Sequence, residues 1–151
     1  MAKNKVKKFY DNKGGEKLID TKFFVPEIDD YLRNEKEFIQ KILELGKYPG
    51  ILEIGCMNGR NLDIAKEQGI RYVGIDIVRR FVDEANRKIE NLGIDAIALE
   101  CDVKYLYDIK DVISSDFLAV FPFNSFGNVD DPQRALNSLS KQGLDLSLIH
   151  I

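Results

Sequence analysis

The chain has 151 residues, enough for one domain with a real core, and its 44% hydrophobic and 31% charged content is that of a folded globular protein. A net charge of −3 supplies no general attraction to nucleic acid or to an anionic membrane surface. Two cysteines without a CxxC pair and a single histidine exclude a zinc site or a disulfide framework, no apolar run approaches the ~20 residues of a membrane helix, and residues 1–22 lack the apolar centre of a secretory leader, so a cytoplasmic protein is expected.

Residues 1–24 read as a basic arm, with Lys3, Lys5, Lys7, Lys8, Lys13, Lys17 and Lys22 against Asp11, Glu16 and Asp20. Such an arm is either a solvated tail or a grip on RNA phosphates. Residues 25–151 read as one domain, without repeats or a Pro/Gly/Ser linker. After Pro26, the residues Tyr31, Phe38, Ile39, Ile42, Leu43 and Leu45 recur at helical spacing, and Gly46 is a stop. A strand over 50–55 follows, then a helix over about 59–68 capped by Asn58 or Asn61 and ended by Gly69. Residues 71–76 form a second strand. Val78, Phe81, Val82, Ala85, Ile89 and Leu92 then predict an amphipathic helix over 78–92, stopped by Gly93. A third strand is expected over 95–101, a short helix over 104–114, a fourth strand over 116–121, and a last helix from Asp130 and Pro132 to about Gly143.

This alternation, with strands that are near-continuous apolar runs, predicts a doubly wound α/β fold around a mainly parallel sheet covered on both faces. In such sheets ligands bind beyond the carboxyl ends of the strands. Polar residues gather at four of those ends. The first is a glycine turn, Glu53-Ile54-Gly55-Cys56-Met57-Asn58-Gly59, where glycine admits positive φ and a close ligand while the helix N-terminus offers N–H groups. The turn could also serve local geometry alone. The second is Asp76, placed to accept from ribose hydroxyls, and the third is Asp102, placed to accept from an adenine amine; either could equally be a helix cap. Gly55-x-x-x-Gly59 is not the GxGxxG of a dinucleotide site, and the Glu53 carboxylate suits a ligand with an ammonium and a sulfonium better than a pyrophosphate.

Residues 52–61, with Tyr72-Val73-Gly74-Ile75-Asp76 and Glu100-Cys101-Asp102-Val103, resemble the cofactor half of the class I S-adenosylmethionine-dependent methyltransferases. The resemblance covers about residues 35–143 and implies a Rossmann-like sheet of order 3-2-1-4-5 with the last strands missing. It implies S-adenosylmethionine as cofactor, with Glu53, Gly55, Cys56, Met57, Gly59 and Asn61 around its methionine part. Asp76 and Ile77 would then meet its ribose, Cys101, Asp102 and Val103 its adenine, and Phe121, at the end of the fourth strand, would also contact the cofactor. Tyr10 resembles a tyrosine that closes over the cofactor in some small-molecule enzymes of this group. Family members usually carry glycine where this chain has Met57, whose side chain must either point away from the cofactor or intrude on it.

The fourth place, Phe121-Pro122-Phe123-Asn124-Ser125-Phe126, lacks the Asn/Asp-Pro-Pro-Tyr/Phe signature of base-modifying members. It points to a small-molecule methyl acceptor contacted by Asn124, Ser125 and Phe126, with Asn124 orienting the acceptor or the methyl. The alternatives are a domain that binds the cofactor without catalysis and, less favoured, an RNA methyltransferase guided by the basic arm. Residues 144–151 suggest a fifth strand, although 146–151 also read as translated adapter sequence, and a chain cut short of its last two strands is expected. An apolar edge there would invite a homodimer.

Overall fold

A computed structural model describes residues 3–12, 15, 17, 21–46 and 48–148. The sheet has five strands: β1 (Gly50–Ile54), β2 (Arg71–Asp76), β3 (Ala96–Glu100), β4 (Leu118–Phe121) and β5 (Asp145–Leu148). All four pairings are parallel, in the order β3-β2-β1-β4-β5. The chain moves outward from β1 to β3 and then returns to place β4 on the other side of β1. That reversal leaves a crevice beyond the carboxyl ends of β1 and β4.

The helices are α1 (Lys3–Asp11), α2 (Pro26–Gly46), α3 (Leu62–Gln68), α4 (Arg79–Leu92) and α5 (Pro132–Lys141), with 3₁₀ segments at Thr21–Phe23, Val103–Ile109 and Ser125–Asn128. Ile51, Tyr72, Ala98, Leu118 and Val120 face α2, α3 and α4 in one core, where Ile39, Leu43, Leu62, Val82 and Ala85 meet them. Leu52, Ile54, Val73, Ile75, Ala119 and Phe121 face the second core, closed by Leu106, Ala135 and Leu139. Every residue of β1 is buried, as a central strand with two covered faces requires.

Glycines end the helices where the sequence predicts: Gly69 and Gly93 close α3 and α4 in the left-handed conformation, φ +64° and +61°. Several expectations shift: the helix expected from about 59 begins at Leu62 and the strand expected from 116 begins at Leu118. The helix expected over 104–114 is a shorter 3₁₀ segment, kinked at Tyr105 (φ −131°). The arm expected as a solvated tail contains α1, which Lys7 ties to Glu100 at the end of β3. Lys13, residues 149–151 and the side chains of residues 147 and 148 lie outside the described residues.

Candidate active site

A cavity of about 920 Å³ lies at the carboxyl ends of the strands. Of the sequence-predicted residues, Tyr10, Gly55, Met57, Asp76, Ile77, Cys101, Asp102, Val103, Asn124 and Ser125 are on its wall. Glu53, Cys56, Gly59, Asn61, Phe121 and Phe126 are not.

The glycine turn explains part of that division. Gly55 has φ +79°, and a Cβ there would sit 2.8 Å from the Ser125 Cβ, so both conformation and space call for glycine. Gly59 has φ +75° and is buried against Leu62 and Ala85; its reason is packing behind the wall. Several amides of the turn already have acceptors. Gly55 and Cys56 donate to the Ile75 carbonyl, Gly59 and Arg60 donate to the Cys56 carbonyl, and Met57 donates to Asp76 Oδ2 at 3.0 Å. The turn therefore does not present those N–H groups to a ligand, as the sequence suggests, and a pyrophosphate would lack that anchor.

Glu53 is the larger correction. The pleat sends it to the same face as Ile51, into the helix-covered core, where it is 0% exposed. Its carboxylate accepts from the Tyr72 hydroxyl and, at 2.7 Å, from Asn61 Nδ2. Burial raises its pKa to about 7, against the opposing pull of Tyr72, Arg60 and Asn61. Asn61, expected as a cap or a cofactor contact, stands at the N-terminus of α3 with its amide committed to Glu53. Phe121 and Phe126 pack edge to face at 5.1 Å in the second core. Cys56 and Cys101 are both free and buried, and burial pushes the Cys101 thiol up to about 11.

Asp76 terminates β2 and reaches past the helices onto the wall. It accepts from the Val78 N–H at 2.9 Å as well as from Met57, so it stitches the start of α4 to the glycine turn. Burial raises its pKa against the pull of those amides. Asp102 caps the following 3₁₀ segment by accepting from the Lys104 N–H at 3.1 Å. Lys104, 7% exposed, sends its ammonium to Asp130 and to Asp102 Oδ2, 3.3 Å away. The cap and wall roles coexist in both acids. Asp76, Glu100, Asp102 and Asp130 face the cavity against the cations Lys7 and Arg60. Three of these four acids already hold a cation, Glu100 through Lys7, and Asp102 and Asp130 through Lys104.

Helix α1 brings Val6, Lys7 and Tyr10 over the cavity. Lys7 Nζ pairs with Glu100 at 2.9 Å, and Arg80 at the start of α4 donates to the carbonyls of Tyr10 (2.6 Å) and Asn12 (3.4 Å). Burial and the charge of Asp76 raise the Tyr10 pKa and keep the phenol neutral.

Another part of the wall joins Phe123 and Asn128, from the fourth strand-end place, to Tyr31 and Arg60, which the sequence did not single out for the site. Arg60 lies over the Phe123 ring at 4.8 Å, and the Tyr31 ring meets it edge-on at 5.8 Å. Among the described residues no cluster of His, Cys, Asp or Glu could hold a metal ion, and no helix is long and apolar enough to cross a membrane.

A parallel sheet of this order, with a glycine turn after β1 and acids ending β2 and β3 on one cavity, defines a class I, Rossmann-like S-adenosylmethionine-dependent methyltransferase domain. The chain belongs to the methyltransferase-domain family, whose model matches residues 51–142. Among solved structures the fold matches magnesium protoporphyrin IX methyltransferase from Synechocystis PCC 6803 with bound SAM, at 14% identity and TM-score 0.74, over 98% of this chain and 75% of that one. It matches the MccD protein at 20% identity and TM-score 0.63, over 76% of this chain and 51% of that one. A SAM-dependent methyltransferase from Thiobacillus denitrificans, in complex with S-adenosyl-L-homocysteine, matches at 21% identity and TM-score 0.57, over 83% of this chain and 48% of that one. The chain thus spans about half the length of the last two. No curated protein matches by sequence.

Proposed function

We propose that this chain binds S-adenosylmethionine along the β1–β3 side of the cavity and directs its methyl group to a small-molecule acceptor at the β4 side. The observation that carries the reading is the juxtaposition, on one wall, of Gly55, Asp76 and Asp102. The residues fit the cofactor: Gly55 brings bare backbone to the wall for the methionine part, Asp76 can accept from ribose hydroxyls, and Asp102 from the adenine amine. Ile77 and Val103 supply apolar surface for the purine. At about 920 Å³ the cavity is near the top of the ~300–1,000 Å³ range of small-molecule pockets, with space for an acceptor beside a nucleoside.

When bound, S-adenosylmethionine supplies an activated methyl on a sulfonium; the chain's residues hold, align and exclude water. In this reading α1, in the arm of residues 1–24, serves as cover for the domain of 25–151, with Tyr10 and Val6 shielding the nucleoside. Asn124 orients the acceptor or the methyl by hydrogen bonding. Small-molecule acceptors are supported by the volume of the cavity and by the magnesium protoporphyrin IX named for one structural neighbour.

The test is incubation with methyl-labelled S-adenosylmethionine and a cell extract, followed by separation by size. Label in the low-molecular-weight fraction is expected; label confined to RNA or protein would overturn the acceptor class. A second reading, binding without turnover, is favoured by Met57 on the wall, and persistent binding without label in any fraction would support it.

A further inference from the structure

Phe123 and Asn124 are consecutive non-glycine residues in the left-handed region, φ +49° and +57°. For a side chain as bulky as phenylalanine this is a rare conformation, which persists only when its surroundings enforce it. The enforcing group lies in another layer. Glu35 on α2, 1% exposed and absent from the cavity wall, accepts from the Phe123 N–H at 2.7 Å and from the Tyr31 hydroxyl at 3.3 Å. Without it the Phe123 N–H would be a part-buried donor lacking this acceptor. The turn is tied at a second point by Ser125, whose hydroxyl donates to the Ile54 carbonyl at 2.8 Å.

We infer that Glu35 is a positioning residue, which holds the Phe123–Asn124 turn in its left-handed conformation and so sets Tyr31, Phe123 and Asn124 as the acceptor end of the cavity. The inference rests on the reading above for what that end receives. The turn geometry stands apart from it. The groups that face Glu35 are the Arg60 guanidinium, the Tyr31 hydroxyl and the Phe123 amide, all of which favour its charged form against burial.

The experiment is amide hydrogen exchange and proton–nitrogen correlation spectroscopy of the full chain, wild type, Glu35→Gln and Glu35→Ala. The Phe123 amide should exchange slowly in the wild type and at least ~100-fold faster in Glu35→Ala, and it should recover within ~5-fold of wild type in Glu35→Gln, which keeps an acceptor. The Leu52 and Val73 amides of β1 and β2 should not change. Titration with S-adenosyl-L-homocysteine should give affinities within ~3-fold across the three proteins. Equal Phe123 protection in a folded Glu35→Ala, or loss of ligand affinity in parallel with it, overturns the inference. Should Glu35→Ala not fold, Glu35→Gln decides: replacing a charged acceptor by a neutral one must move the Phe123 amide resonance more than those of the strands, and an unmoved resonance overturns it. Failure of the wild type to bind S-adenosyl-L-homocysteine would instead sink the cofactor reading, leaving the exchange result intact.

Discussion

Glu53 and Asp76 lie close to the ends of neighbouring strands, and in the sequence both are acids poised at a ligand site. In the structure they part company. Glu53 turns into the core beneath the glycine turn, where Tyr72 and Asn61 enclose it, whereas Asp76 sits on the cavity wall and ties Met57 to Val78. The pleat decides: Glu53 is one residue short of the strand end and still between covered faces, while Asp76 is the last residue of its strand. The acid behind the turn joins β2 to the start of α3 within the core; the acid at its edge holds the turn and still faces the cavity.

The largest effect that would test this contrast is on stability. Glu53→Ala leaves the Tyr72 hydroxyl and the Asn61 amide without their buried acceptor and should lower the unfolding free energy by about 4 kcal/mol in urea. A loss under about 1 kcal/mol would place Glu53 outside the folding core after all.

The same group makes stability depend on pH. The folded carboxyl keeps its proton up to about pH 7, whereas the unfolded one releases it near the usual 4.5, so the folded state binds more protons between those values. Its contribution is therefore fully present below 4.5 and falls as pH rises toward 7, by about 3 kcal/mol. Denaturation of Glu53→Gln across that range should show a flatter profile than wild type; parallel profiles would contradict the assignment.

Asp76→Ala should act mainly on binding, weakening the cofactor by about 2 kcal/mol, roughly thirtyfold, through the loss of hydrogen-bond acceptors. If calorimetry finds affinity unchanged, Asp76 is a stitch for α4 and nothing more. Met57→Gly should change stability by no more than about 1 kcal/mol, because relief of its φ of +48° offsets the added freedom of the unfolded chain. It should also tighten cofactor binding by clearing the wall. Smallest of all, Lys7→Ala removes an exposed pair with Glu100 worth about 0.5 kcal/mol.

Much of the fold was legible because its signals are local. Apolar runs bounded by glycines mark β1 and β2, and Gly69 and Gly93 mark helix ends through a conformation that glycine adopts readily. Asp76 and Asp102 were legible because strand ends show as the place where an apolar run stops. The orientation of Glu53 was not, since its partner Tyr72 comes from the next strand and nothing local says which face the helices cover. Helix α1 was missed for a related reason. Nine residues without an acid in the first turn make a poor helix alone, and its ties, Arg80 and Glu100, lie 70 and 93 residues from the residues they hold. Tyr31, Glu35 and Arg60 carry no motif; only the packing of α2 and the turn after β1 against the turn after β4 gives them a common place.

Calorimetric titration of the chain with S-adenosylmethionine, S-adenosyl-L-homocysteine and NAD tests the central claim most directly. Binding of both sulfur compounds, with affinity reduced in Asp76→Ala and no heat from NAD, is the predicted result. Saturable NAD binding with no response to either sulfur compound would contradict it.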